Sequence, residues 1–206
     1  MSTMSDVADA TTGMVNYFDP SQEQSKVKLA QGVYPAHIVK CDRVTRDVRN
    51  KHKADIYNFR IKIDKSVAKK SYQIEDIAGD MVQVDGSNYI GREIRSQGIF
   101  FFLTPDAGDG FEAHPGGNRK YMETILALGV ECPEVEVDID GEKRMVKSLP
   151  HLDTSDFLGR PVLAVVGLGK PWKGTDGVAR QSFEVKSIDK WEEGEKVDVE
   201  AEELPF

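Results

Sequence analysis

The chain has 206 residues, 39% hydrophobic and 30% charged, with a formal net charge of −8 at pH 7; that is enough for one domain with insertions or tails, and for a real core. Its two cysteines, Cys41 and Cys132, have no Cys or His partner at zinc-site spacing and read as reduced, partly buried thiols. No apolar run approaches the roughly 20 residues that cross a membrane, and MSTMSDVADATTG has neither the basic start nor the apolar stretch of a signal peptide, which predicts an intracellular protein.

Residues 1–28 are polar and lack a sustained period, so they read as a loose N-terminal arm ahead of a domain at 29–191. Gly32 to Cys41 is β-rich without clean alternation, as expected of a long first strand that bends between two sheet faces. Val44 to Asp55 reads as a loop dense in Arg and Lys. Tyr57, Phe59, Ile61 and Ile63 then alternate with Asn58, Arg60, Lys62 and Asp64, a half-buried strand with a basic outer face.

Ser66 to Gln97 is an insertion with a short hairpin expected around Asp85-Gly86-Ser87-Asn88. Gly98 to Leu103 is a strand, followed by a turn-rich stretch from Thr104 to Gly117. Asn118 is a good N-cap for a helix over Arg119–Leu128, which Gly129 stops, with Tyr121, Ile125 and Leu128 on its buried face. Val135, Val137 and Ile139 lead into Asp140-Gly141 and a surface hairpin, and Asp153 to Leu158 reads as one helical turn. Gly159–Gly167 and Arg180–Ile188 are strands on either side of a glycine-rich tip, Leu168 to Gly177.

This order predicts a mainly β protein: a five-stranded OB-fold-like barrel with one helix between strands three and four, insertions and disordered termini. A β-sandwich with a stray helix is the rival. In an OB-fold the face of strands two and three and the loops joining strands one to two and four to five bind the ligand. Here the first loop carries Arg43, Arg46, Arg49, Lys51 and Lys53, the second carries Lys170, Trp172 and Lys173, and Arg60 and Lys62 lie between them. Cations follow phosphates and aromatic rings stack on bases, so Trp172 joins Phe100, Phe102 and Tyr34 as stacking candidates. From Lys40 to Lys70 eleven basic residues face four acidic ones, a local charge of +7.

Catalysis finds little to work with. Gly167 to Gly174 lacks the spacing and terminal hydroxyl of a phosphate loop, the four histidines are scattered, and Asp138, Asp140 and Glu142 sit on a solvated hairpin. The expectation is a binding protein with no cofactor and no metal.

From Glu192 to Phe206 seven acids stand against Lys196 alone, a charge of −6 that leaves only −2 for the rest of the chain. Such a segment reads as a disordered tail. Its end, Glu202-Glu203-Leu204-Pro205-Phe206, is apolar and aromatic, fit for a partner whose apolar hole takes the Phe ring while Arg or Lys holds the carboxylate. An acidic tail closed by Pro-Phe resembles the end of bacterial single-stranded DNA-binding proteins and of phage proteins of that role. The likeness covers only the last residues, and the size, insertions and short tail bring the phage type nearer. The resemblance implies a protein that coats single-stranded DNA without strong sequence preference in replication, recombination or repair, and recruits a polymerase, helicase or primase through its tail. It allows a homo-oligomer without fixing its size, and RNA remains an alternative ligand. The other readings are an acidic DNA mimic or interaction protein that occupies another protein's DNA site, and a metal-dependent nuclease.

Overall fold

Alternating apolar residues on one long hairpin build the centre of the molecule. In the computed structural model, which describes residues 28–75, 78–103 and 110–200, β1 (Gly32–Val48) pairs antiparallel with β2 (His52–Ile63). Ala36, Ile38 and Cys41 share a buried side with Tyr57, Phe59, Ile61 and Ile63; His37, Lys40, Asp42, Val44 and Arg46 share the other with Ile56, Asn58, Arg60 and Lys62. A register shift between Ile38 and Lys40 is the expected bend.

The basic stretch from Val44 to Asp55 is therefore strand, not loop. Its connection shrinks to Arg49-Asn50-Lys51, with Arg49 and Asn50 at φ 55° and 56°, and Lys51 N–H donates to the Val48 carbonyl at 3.2 Å. Ladder hydrogen bonds are indifferent to side-chain charge, so a dense run of Arg and Lys extends a strand wherever solvent takes the charged tips.

β5 (Glu93–Arg95) and β6 (Ile99–Phe102) pair with successive parts of β2, from Lys62 to Arg60 and from Tyr57 to Ala54. Gly98, between them, lies over Ile56 where a Cβ would collide. β9 (Pro161–Leu168) pairs with the first part of β1, and β12 (Phe183–Asp189) with β9. The sheet order is β12-β9-β1-β2-β5, with β6 also on β2, and one isolated parallel bridge, Ser96 to Val185, links its edges. Three two-stranded ribbons complete a mainly β molecule: β3 (Ser71–Glu75) with β4 (Met81–Asp85), β7 (Glu134–Ile139) with β8 (Glu142–Lys147), and β10 (Trp172–Lys173) with β11 (Ala179–Arg180).

The hairpin turn expected around Asp85-Gly86 does not form there, because Asp85 is the last residue of β4 and pairs with Ser71, the first of β3. There the Asp85 carboxylate accepts from Ser87 N–H and starts a 3-10 turn over Gly86–Tyr89, which packs Gly86 against the Val67 carbonyl. The insertion closes one end of the core with Tyr72 and Tyr89. Tyr34, expected as a surface stacking residue, is fully buried between them; its ring lies 4.4 Å from that of Tyr72, and its hydroxyl donates to the Ala30 carbonyl.

α1 (Arg119–Ala127) and α2 (Thr154–Phe157) close the other end. α1 buries Tyr121 and Ile125, Leu128 beyond it is buried too, and Gly129 ends the helix at φ 74°. Asn118 does not cap the helix with its side chain. Its amide instead pairs with both backbone groups of Phe102, at 2.6 and 2.9 Å, and ties α1 to β6.

The acidic segment expected to run free from Glu192 is held against the sheet as far as Val197. Trp191 meets His37 edge-on at 5.5 Å, the Glu195 carbonyl lies 3.0 Å from His37 Nε2, and Val197 N–H donates to the Gly159 carbonyl at 2.9 Å. Gly159 sits at φ 73°, and a Cβ there would fall on the Val197 carbonyl. The charge count hid two contact-making residues, Gly194 and Val197, just beyond Trp191. The arm at 1–27 and the end from 201 to 206 lie outside the described residues.

Candidate nucleic-acid interface

On a strand, alternation decides which rings reach solvent. Ile99 and Phe101 turn inward, Phe101 against Tyr121 at 4.6 Å, so Phe100 and Phe102 share the outer face with Ile56 and Ala54. Their rings stand 5.8 Å apart and 18° from parallel. His114, returned by the chain between β6 and α1, stacks on Phe102 at 3.9 Å and 9°. His52 lies edge-on to both Phe102 and His114, fixed by the Glu112 carbonyl 2.8 Å from its Nδ1. The result is a half-buried row of three rings. On the hairpin side a hollow of about 340 Å3 lies between the row and Arg49, and on the other side a groove of about 710 Å3 runs between β6, α1 and β12.

Cations surround this row unequally. Arg46 is on the outer face and Arg49 at the hairpin turn, and neither forms an ion pair among the described residues. Arg60 and Lys62 lie further along the same face, with Arg60 3.8 Å from Glu93, and Lys40 is 3.3 Å from Asp42. Exposed pairs of this kind contribute little and yield readily to a phosphate. Arg43 belongs to the opposite face, where it meets Asp153 at 3.3 Å and buried Asp55 at 4.0 Å. Lys53 is on that inner side too, over the Phe111 ring at 5.9 Å, and Lys51 lies 3.9 Å from Glu112. Arg46, Arg49, Arg60, Lys62, Phe100 and Phe102 are thus brought together; Arg43, Lys53 and Tyr34 are not.

Lys170, Trp172 and Lys173 belong to the connection between β9 and β12. Trp172 is 50% exposed, with the Arg180 guanidinium 5.6 Å from its ring centre. The base of this ribbon is tied by Gly169 N–H to the Ser182 carbonyl and sits beside Glu184. Hydrogen bonds from Lys186, then Gln97, hold the Glu184 carboxyl below the usual carboxylate range, and Lys170 adds to the effect. The ribbon therefore rises next to the β5 edge of the basic face.

Sequence reasoning missed His114, Arg119, Lys120, Lys186 and Lys190, all of which line the groove. No local pattern marked them, because the groove is assembled from α1, β12 and the connection ahead of α1, which are distant in sequence. The assembled chemistry is flat rings for stacking and cations for anions, and among the described residues no three His, Cys, Asp or Glu converge as metal ligands. No helix among them is long and apolar enough to cross a membrane. The partner contacts expected at Glu202, Glu203, Leu204, Pro205 and Phe206 lie outside the described residues. Compared with protein-family models, curated proteins and solved structures, the chain finds no match.

Proposed function

We propose that this chain binds single-stranded DNA without strong sequence preference, on an OB-type barrel. The observation that carries the reading is the ring row Phe100-Phe102-His114 lying on the same face as Arg46, Arg60 and Lys62, with Arg49 at its margin. An OB-type barrel accounts for the sheet: β5 and β6 act as one interrupted third strand, α1 falls between the third and fourth, β9 and β12 are the fourth and fifth, and the Ser96–Val185 bridge lies where such a barrel closes.

Bases stack on the rings, phosphates lie along the cations, and Trp172 with Lys170 and Lys173 adds contacts from the ribbon beside β5. Since every base has a π-face and every nucleotide a phosphate, this chemistry reads no sequence. It also performs no covalent step, so the protein acts by binding. The acidic end, Glu202 to Phe206, recruits a replication enzyme and, with no DNA present, competes for the basic face. The test is anisotropy of labelled oligo-dT with the Phe100→Ala/Phe102→Ala variant. At roughly 1–3 kcal/mol per stacked base, the pair should cost at least tenfold in affinity with the fold intact; unchanged affinity refutes the stacking role.

A further inference from the structure

The groove of about 710 Å3 beyond the ring row is not explained by a strand confined to β1, β2 and β6. Its volume is of the size that holds a drug-sized ligand, roughly 300–1,000 Å3, and so admits a nucleotide. One wall is the edge of the aromatic row, Phe100, Phe102 and His114; the others come from α1 and β12. Four cations line it, Arg119, Lys120, Lys186 and Lys190, against two acids, Glu123 and Asp189.

Three of these cations are held by carboxylates, two exposed and one half-buried: Arg119 by exposed Glu123 at 2.8 Å, Lys186 by half-buried Glu184 at 2.6 Å and Lys190 by exposed Glu192 at 2.8 Å. Lys120 forms no ion pair among the described residues. The wall is firmly positioned, because the Asn118 amide binds both backbone groups of Phe102 and so fixes the start of α1 to the strand that carries the rings.

Resting on the function proposed above, we infer that the DNA strand does not end at the ring row but turns over it and continues down this groove, its phosphates between Lys120 on α1 and Lys186 on β12. The rings are the corner of the path. A base leaving the outer face at Phe100 stays against an aromatic surface while the backbone moves from the cations of the hairpin to those of α1 and β12. The bound segment is accordingly longer than the sheet face alone would hold.

The experiment measures the salt dependence of binding to an oligo-dT of about 20 nucleotides, longer than the roughly 4–16 that one OB-type site takes. It compares the full chain, Lys120→Gln/Lys186→Gln, and a control with the same charge change on the remote β7–β8 ribbon, Lys143→Gln/Lys147→Gln. Each phosphate contact on a single strand contributes about 0.7 to the slope of log K against log salt, so the groove variant should lose about 1.4 in slope and at least tenfold in affinity at low salt, and the control neither. Equal behaviour of the two variants overturns the groove path while leaving oligo-dT binding, and its dependence on Phe100 and Phe102, in place. No oligo-dT binding by the unmodified chain overturns the function and the path together.

Discussion

His37 shows how one side chain couples the sheet to the acidic segment. Its ring is 2% exposed, covered by Trp191 and the Glu195 carbonyl, with Nδ1 3.6 Å from Asp64. Burial lowers its pKa, and the hydrogen bond to Glu195 and the Asp64 charge offset only part of that. The fold thus keeps the neutral form, while the unfolded chain takes up a proton near the ordinary value of about 6.5. Stability from this site is complete above about pH 6.5 and falls as the pH drops below it. Thermal unfolding should show a lower midpoint at pH 5.5 than at pH 7.5, and His37→Gln should shrink that difference; an unchanged difference would remove His37 as its source. From the sequence His37 was one of four scattered histidines, because the residues that bury it come from more than 150 positions away. Tyr34 failed for the same reason: its partners Tyr72 and Tyr89 lie in an insertion whose packing no local pattern reveals. Phe100 and Phe102 were legible, since alternation alone sends them to the side opposite Phe101.

The basic stretch from Val44 to Asp55 was misread from its charge as a loop, and both it and the segment that follows Trp191 make predictions. The hairpin of β1 and β2 carries Arg46 and Arg49 beyond the core without an ion-pair partner among the described residues. Replacing both with Gln should reduce the salt slope for oligo-dT by about 1.4, while Arg43→Gln, which breaks contacts to Asp55 and Asp153, should act on stability more than on the slope. Equal slopes for all three proteins would count against the outer face. The docked stretch from Trp191 to Val197 depends on Gly159. Gly159→Ala combines a left-handed backbone with a collision at the Val197 carbonyl and should cost roughly 1–3 kcal/mol. It should also shift Trp191 emission to the red as the ring leaves His37; retention of the native spectrum would show that the contact is not held there. Helix α1 and the Asp140-Gly141 hairpin were readable because their signals, an apolar period and a turn dipeptide, are local.

At the scale of the molecule, charge is segregated: the stretch from Lys40 to Lys70 carries +7 and the segment from Glu192 to Phe206 carries −6. The docking of Trp191 to Val197 divides that acidic segment, so truncations must be placed accordingly. Removing residues 201–206 should leave stability within about 0.5 kcal/mol and tighten DNA binding by relieving competition for the basic face. Removing 192–206 should also uncover His37 and lower the unfolding midpoint. Unchanged DNA affinity after the shorter truncation would eliminate the competition. The mainly β character and a helix between β6 and β9 were legible from turn signals and apolar runs, whereas the edge-to-edge bridge at Ser96 and Val185 was not, because it joins residues with no shared local pattern. The central claim is a face that binds single strands through stacking and phosphate contacts. Its most direct test is a titration of the intact protein with oligo-dT and with duplex of equal length at two salt concentrations, followed by tryptophan fluorescence. Quenching by the single strand, stronger than by duplex and weakened steeply by salt, is the expected result; a folded protein whose fluorescence and anisotropy respond to neither would contradict the account.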